Sequence, residues 1–277
     1  MAQTYIGSPV IRKEDLRFLT GTARYSDDVK LPHMLHAAIL RSPHAHARVL
    51  SIDASAALEM EGVAAVYTYQ DVVQTVDPRP IPMRRGAYSG LDRFLQYPLA
   101  GEKVRYVGEP VAVVVAESRY LAEDALDAIE VTYDPLPAIV DVWGSKKEDV
   151  LLFEEHGTNL ALEYEGSLGE ADRVFYEADY TRKEEFRCHR HTGNPLETRG
   201  LVASFATGTG DLTVWGETKV PHFNRGVLAS LLELPEHRIH FVEPDVGGGF
   251  GIRGEFYPEN FIVPFCSMKL GRPVKWI

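Results

Sequence analysis

Short apolar runs separated by polar stretches containing proline and glycine characterise the first half of the chain. Residues 34–41 form a compact apolar run that predicts a buried strand, and 111–116 is a continuous run of small apolar side chains, typical of a strand covered on both faces. Ser118 precedes apolar residues at helical spacing over 120–129, which predicts a helix with Ser118 as its N-cap. Strands alternating with a helix predict a compact α+β domain over residues 1–142.

The second half follows a different pattern. Residues 143–172 are mostly polar and predict a linker that leads into a second domain. From residue 173 onward, aromatic and β-branched side chains alternate with polar ones, as in half-buried antiparallel strands. We therefore expect a largely antiparallel domain over 173–277. Its predicted elements are strands at 174–180, 201–205, 212–215 and 238–242 and a helix at 224–232.

Composition and charge narrow the possible partners. The formal net charge of −11 repels nucleic acid and anionic membranes, and no local basic run reverses it. Cys188 and Cys266 stand far apart, outside any CxxC or CxxH pair, so we expect two reduced thiols and no zinc or iron–sulfur site built by this chain alone. Neither a secretory signal nor an apolar window of about 20 residues is present, which predicts a cytoplasmic protein without a membrane span.

A glycine-rich run, Gly247-Gly248-Gly249-Phe250-Gly251, begins shortly after the predicted strand at 238–242. Without Cβ atoms the backbone can approach a ligand closely and adopt positive φ. The exposed amides of such a run can form an anion-binding nest, and Phe250 can pack beside a planar ring. A simple tight turn explains the same residues equally well.

A nucleotide-binding turn is a rival interpretation, because residues 249–254 match GxGxxG after a strand. Three features count against it. Pro258 falls within the first turns of the helix that should open at Gly254, and Lys275 stands where the ribose-binding acidic residue is expected. The surrounding pattern also indicates antiparallel strands instead of a βαβ unit.

Other polar residues could carry chemistry, each with a structural alternative. Glu197, near His189 and His191, could be a general base or a loop carboxylate. Lys219 follows Glu217 and precedes His222 at a strand-to-helix junction, where amides can face an anion, but lysines there are more often solvated. A second histidine pair, His44 and His46, could face one metal ion or bond to backbone groups in a loop.

Several segments together resemble the molybdenum hydroxylase family, which includes xanthine dehydrogenase, aldehyde oxidase and aerobic carbon monoxide dehydrogenase. Segments 17–28, 41–47 and 107–114 resemble its α/β hammerhead domain. Asn194-Pro195-Leu196-Glu197 and the glycine run, followed by 271–275, resemble the first molybdopterin-binding domain. The resemblance covers nearly the whole chain in order, and it implies an α+β fold with a hammerhead domain followed by part of a molybdopterin domain.

The resemblance implies a molybdenum–molybdopterin cofactor, in its cytosine dinucleotide form, lying against Gly248, Gly249, Phe250 and Gly251. Lys219 stands where the family often has a glutamine that donates to a molybdenum ligand, so a cation replaces a neutral amide. Purine-oxidising members have a substrate-binding glutamate just beyond the glycine run, where this chain has Gly254 and, one residue later, Glu255. The following Phe256-Tyr257-Pro258 is similar to the carbon monoxide dehydrogenase branch.

Partners and activity also follow from the resemblance. The family's large subunit continues for hundreds of residues and supplies a glutamate base that no residue here provides. We therefore expect the remainder of the molybdopterin subunit, an FAD-binding subunit and a 2Fe–2S subunit as partners. The assembly would hydroxylate an aldehyde, an N-heterocycle or a similar small molecule, or oxidise carbon monoxide, with water-derived oxygen. The alternatives are a non-catalytic docking module or truncated product, and a nicotinamide-dependent dehydrogenase.

Overall fold

The computed structural model describes residues 5–84, 90–216 and 218–277. In this part of the chain, two β-sheets are covered by helices, and short 3₁₀ turns connect the longer elements. No helix of the described residues is long and apolar enough to cross a membrane. The strands are β1 (Leu35–Arg41), β2 (Ala47–Asp53), β3 (Val63–Thr68), β4 (Lys103–Val104), β5 (Pro110–Ala116), β6 (Glu130–Pro135), β7 (Leu201–Ala206), β8 (Asp211–Gly216), β9 (Ile239–Val242) and β10 (Val274–Trp276). The helices are α1 (Asp15–Leu19), α2 (Ser55–Leu58), α3 (Tyr69–Val73), α4 (Arg119–Leu126), α5 (Val142–Lys147), α6 (Ala171–Glu177), α7 (Pro221–Leu232) and α8 (Pro258–Leu270).

One mixed sheet joins the two halves of the chain. Its strand order is β3-β5-β1-β10-β7-β8-β9, so strands from before residue 142 lie beside strands from after residue 200. The junction is the parallel pair β1 and β10, with Leu35 opposite Val274. A smaller antiparallel sheet, β4-β2-β6, belongs to the first half alone. The predicted α+β architecture is confirmed, and the domain boundaries predicted at 142 and 173 stay predictions.

Strand β5 is buried along its whole length, as its continuous apolar run predicts. It lies between β1 and β3, antiparallel to both. Val113 and Val115 face the main core, whereas Val114 and Ala116 face α4. The predicted N-cap of α4 is confirmed, since the Ser118 side chain accepts a hydrogen bond from the Leu121 amide.

Helix α8 lies at the centre of the main core. Phe261 and Phe265 are its largest fully buried side chains, and their rings stack 5.5 Å apart. The helix packs against α7 and against strands from both halves of the large sheet, including β5 and β7. This core fixes the start of α8, and with it the position of the glycine run that precedes the helix.

The sequence-based argument that no βαβ unit precedes the glycine run is wrong. Strands β8 and β9 are parallel neighbours, connected by α7, which makes a βαβ crossover. The rest of this half is antiparallel, since β7 pairs antiparallel with both β8 and β10. Strand β9 has only four residues and alternating burial, too short a pattern to distinguish a parallel from an antiparallel neighbour.

The strand predicted at 174–180 is also wrong. Residues 171–177 form helix α6, and every residue from 163 to 192 is exposed. No described strand lies beside this segment, so a strand here would leave its amides and carbonyls unpaired. A helix pairs those groups internally, and Arg173 adds ion pairs to Glu170 and Glu177.

Candidate functional site

The glycine run forms a strained loop at the end of β9. Gly248 and Gly251 have φ angles of 115° and 93°, which a residue with a Cβ rarely adopts. Phe250 has φ of 43° and nevertheless exposes 76% of its surface. A large apolar side chain held outward on an unfavourable backbone indicates a loop shaped for a contact outside the described chain.

The loop packs closely on the Asn194–Glu197 segment, so the two motifs of the family resemblance meet in space. A Cβ on Gly247 would lie 2.4 Å from the Cβ of Glu197. A Cβ on Gly248 would lie 2.9 Å from the Cβ of Pro195. Only glycine allows this approach at either position, because real Cβ contacts are not this short.

Two side chains anchor the loop in this position. The Gly247 amide donates to Oε2 of Glu197 at 2.6 Å. The buried Arg253 donates from Nε to the Gly248 carbonyl at 2.6 Å and from Nη2 to the Glu197 carbonyl at 2.9 Å. Its guanidinium also lies 3.6 Å from the Glu197 carboxylate. This geometry favours the loop-carboxylate interpretation of Glu197 over the general base.

The opposite side of the loop is open. No described atom lies within 4 Å of a Cβ built on Gly249 or Gly251. Within the described residues, the amides of Gly248, Gly249, Phe250 and Gly251 donate no hydrogen bond. Successive donors without acceptors, beside an exposed aromatic ring, match a planar ligand with anionic groups.

A cavity of about 360 Å³ adjoins the anchored side of the loop. Glu197 and Gly247 form one wall, and the N-terminal segment at Tyr25, Ser26 and Asp27 forms the other. Oε1 of Glu197 is buried without a hydrogen-bond partner in the described residues. The segments at 17–28, 194–197 and 247–251 therefore each contribute residues to the lining of one cavity, although they are far apart in sequence.

Lys219 lies beside the same loop. Its amide donates to the Arg253 carbonyl at 2.9 Å, which joins the β8–α7 connection to the end of the glycine run. The connection is held by a buried pair, in which Nδ2 of Asn224 donates to Oγ1 of Thr218 at 2.8 Å. The Lys219 side chain is exposed and passes over Gly254. Glu217 lies outside the described residues, and His222 is exposed at the start of α7.

An ion triad around the buried Glu259 carboxylate supports the loop. The Glu259 carboxylate in the first turn of α8 pairs with Arg41 of β1 and with Arg199, at 2.5 Å each. Burial would raise the pKa of Glu259, but the two guanidinium groups outweigh it and hold that pKa below its usual value. Arg199 also lies 3.9 Å from the ring centre of Tyr257, whose hydroxyl donates to the Ile252 carbonyl. The triad thus couples both halves of the chain to the loop.

Several candidate residues lie elsewhere. His189 and His191 belong to the exposed segment 163–192, where Nδ1 of His191 lies 3.1 Å from the His189 carbonyl. His46 bonds through Nδ1 to the Pro137 carbonyl at 2.9 Å, which confirms the loop interpretation for that histidine. Among the described residues, no three histidine, cysteine or acidic side chains meet as a metal site. Both cysteines are free thiols, with Cys188 exposed and Cys266 buried.

The nucleotide-binding interpretation of residues 249–254 finds no support in the geometry. These residues form consecutive turns, and α8 opens only at Pro258. Strand β9 is at the edge of its sheet, whereas a dinucleotide site needs a parallel strand within the sheet and a helix directly after the glycine turn.

Sequence reasoning missed the arginines of the site. Arg253 lies within the GxGxxG match, Arg199 two residues beyond Glu197, and Arg84 in a proline-rich loop. Nothing in the local pattern distinguishes them from surface arginines. Their proximity to a recognised motif is the one signal that could have selected Arg253 and Arg199.

Comparison with known proteins agrees with this arrangement. Residues 20–137 match the family model described as "Aldehyde oxidase and xanthine dehydrogenase, a/b hammerhead domain", and residues 152–277 match the "Molybdopterin cofactor-binding domain". The carbon monoxide dehydrogenase large chain of Afipia carboxidovorans is 40% identical over 96% of this chain and 34% of its own length. The 6-hydroxypseudooxynicotine dehydrogenase complex subunit gamma of Paenarthrobacter nicotinovorans is 37% identical over 99% of this chain and 34% of its own.

Solved structures give the same result. Quinoline 2-oxidoreductase from Pseudomonas putida 86 superposes with a TM-score of 0.84 and 37% identity, over 98% of this chain and 34% of its own. Reconstituted CO dehydrogenase from Oligotropha carboxidovorans superposes with a TM-score of 0.85 and 38% identity, over 98% and 34%. The chain therefore spans about a third of the length of the relatives it matches. It carries a hammerhead domain and a molybdopterin cofactor-binding domain, and it belongs to the molybdenum hydroxylase family, matching the N-terminal portion of the large, molybdopterin-binding subunit.

Proposed function

We propose that the loop at Gly248, Gly249, Phe250 and Gly251 contacts the molybdopterin cofactor and that Lys219 lies at the same site. The loop geometry carries this proposal, because its four amides have no acceptor among the described residues and the Phe250 ring beside them is exposed. The cofactor supplies the redox chemistry when it is bound. The described residues would bind and orient it: the amides would donate to its anionic groups and Phe250 would pack against its ring, while Glu197 and Arg253 hold the loop in place.

The complete assembly is proposed to oxidise a small molecule. It would hydroxylate an aldehyde, an N-heterocycle or a similar compound with water-derived oxygen, or oxidise carbon monoxide. The names of relatives support this range, since they include carbon monoxide dehydrogenase, nicotine 6-hydroxylase and quinoline 2-oxidoreductase. The general base would come from a part of the subunit that this chain does not span.

The cofactor form and the partners are proposals of the same kind. We infer a cytosine dinucleotide form of molybdopterin and electron transfer to a 2Fe–2S subunit and an FAD-binding subunit. Relatives named as a complex subunit, a large chain and a large subunit support a multi-subunit assembly. The exposed segment 163–192 supports contact with the remainder of the molybdopterin subunit. A cytoplasmic location and domain limits at 1–142 and 173–277 stay predictions from the sequence.

Cofactor content tests the binding proposal directly. The full chain would be purified from a host that makes molybdopterin, and its molybdenum content and pterin fluorescence would be measured. The wild-type chain is expected to retain both. Phe250→Ala should retain markedly less while unfolding at the same urea concentration, because its ring is exposed and contributes little to the core.

A matched substitution serves as the control. Phe186→Ala removes a ring that is 85% exposed and lies outside the loop, so its cofactor content should equal that of wild type. A wild-type chain that holds neither molybdenum nor pterin, although folded, would contradict the proposal for this chain.

A docking module is the second candidate function. Residues 163–192 are all exposed, and Leu168, Tyr176 and Phe186 expose 97%, 91% and 85% of their surfaces. So many large apolar side chains on one segment are typical of a surface covered by a partner. Binding of partner subunits by a chain that never holds cofactor would favour this candidate.

A further inference from the structure

Two cationic side chains from distant parts of the chain lie over the turn that follows the glycine loop. A Cβ on Gly254 would lie 3.6 Å from Cδ of Lys219 and 3.8 Å from Nη2 of Arg84. Lys219 directly precedes α7, whereas Arg84 lies more than a hundred residues earlier in the chain, between α3 and β4. Both side chains therefore lie close to the same short piece of backbone.

The acidic side chains that the structure describes near this turn do not fully neutralise the two cations. No acidic side chain of the described residues forms an ion pair with Lys219. Arg84 contacts a single carboxylate, that of Glu255, at 3.5 Å, and Glu255 is half exposed. Nε of Arg84 is buried without a hydrogen-bond partner in the described residues. Of the charged side chains described at this turn, Lys219 and Arg84 are positive and the half-exposed Glu255 is negative, so the described groups sum to a positive charge.

The surrounding backbone adds further donors. The amides of Gly249, Phe250 and Gly251 lie within a few residues of Gly254 and donate no hydrogen bond among the described residues. A protein with a formal charge of −11 has little general attraction for anions. The two cations beside these amides therefore offer an anion an attraction that the overall charge of the chain does not provide.

We propose that Lys219 and Arg84 form an anion-binding site at the edge of the glycine loop, which takes a ligand with a carboxylate or phosphate group. This inference rests on the proposed function for its biological meaning, since the loop is the proposed cofactor contact. The shared chemistry is an oxyanion held by two cations. This oxyanion belongs either to a carboxylate of the substrate or to a phosphate of the cofactor.

Calorimetric titration of the full chain at low salt tests the site with three probes: benzoate, inorganic phosphate and the neutral benzamide. At least one anion is expected to bind about tenfold more tightly than benzamide, and added salt should weaken it. Benzoate binding assigns the site to a carboxylate ligand, and binding of phosphate alone assigns it to a phosphate group. Equal binding of all three probes, or binding of none, would overturn the proposal.

Four variants locate the binding. Lys219→Gln and Arg84→Gln should each weaken the preferred anion about five- to tenfold, whereas Lys147→Gln, an exposed lysine on α5, should leave it unchanged. Glu255→Gln removes the competing carboxylate and should strengthen binding two- to threefold, roughly. Weaker binding in Glu255→Gln, or unchanged binding in Lys219→Gln, would refute the assignment.

The outcome is separable from that of the proposed function. A chain that retains molybdenum and pterin but shows no anion preference would refute only the anion site. A chain that binds the anion through Lys219 and Arg84 but never holds cofactor would refute the cofactor proposal and support the anion site.

Discussion

Two glutamates, Glu259 and Glu109, are each only 3% exposed, yet their charges should have opposite effects on stability. Glu259 pairs with Arg41 and Arg199, which lower its pKa despite burial. Burial raises the pKa of Glu109. The main interaction that lowers this pKa again is a hydrogen bond from the Arg105 amide at 2.6 Å, and it does not outweigh burial. The substitutions Glu259→Gln and Glu109→Gln therefore remove the same charge at the same burial from opposite electrostatic surroundings.

The expected magnitudes differ accordingly. Removing one partner of a buried ion pair costs about 3–5 kcal/mol. The side chains of Arg41 and Arg199 are 39% and 29% exposed and can recover hydration, so we expect Glu259→Gln to cost about 2 kcal/mol. Glu109→Gln keeps an oxygen for the Arg105 amide and removes a charge that burial disfavours. Its free energy of unfolding should stay within about 1 kcal/mol of wild type or rise at neutral pH.

The pH dependence has opposite signs for the two residues. The pKa of Glu259 is lower in the folded state, so its contribution is present above the usual value of 4.5 and is lost as the pH falls through the folded pKa. The pKa of Glu109 is higher in the folded state, so the residue lowers stability increasingly as the pH rises from 4.5 through the folded pKa, because the unfolded carboxyl ionises first. The deficit of Glu259→Gln should therefore shrink in acid, while any gain of Glu109→Gln should grow toward neutral pH.

Urea unfolding followed by tryptophan fluorescence measures both variants at several pH values from 7 down to about 3, because the Glu259 contribution is lost only below its usual pKa of 4.5. Similar destabilisation of the two variants at pH 7 would show that burial alone decides the outcome and would refute the role of the arginines. A deficit of Glu259→Gln that grows in acid would refute the assigned direction of its pKa.

Two further predictions concern the glycine loop and the thiols. Gly247→Ala should destabilise the fold by about 1–3 kcal/mol, because the new Cβ overlaps Glu197. The Cβ of Gly249→Ala meets no described atom, so this variant should keep wild-type stability while retaining less cofactor. Equal urea midpoints for the two variants would contradict this contrast. An alkylating reagent should label the exposed Cys188 in the native chain and leave Cys266 unlabelled until unfolding, since burial raises the pKa of the Cys266 thiol. Mass spectrometry that finds Cys266 modified before Cys188 would contradict this prediction.

The sequence by itself determined the features that depend on nearby residues. The continuous apolar run at 111–116 predicts a strand covered on both faces, and β5 is buried along its whole length. The prediction succeeds because an uninterrupted run of small apolar side chains is typical of strands buried on both faces. Ser118 caps α4 as predicted, because capping is a contact within one turn. The glycine run marked the candidate site, because three adjacent residues without Cβ atoms indicate unusual backbone geometry wherever they occur.

Only the tertiary structure decided the features that depend on distant partners. The helical conformation of 171–177 follows from the lack of a neighbouring strand in the described chain, which the strand-like pattern of the segment cannot reveal. Arg84 and Lys219 meet over Gly254 because the large sheet and α8 join both halves of the chain into one body. A charge pattern read along the sequence records each cation separately, whereas an anion site depends on the distance between them.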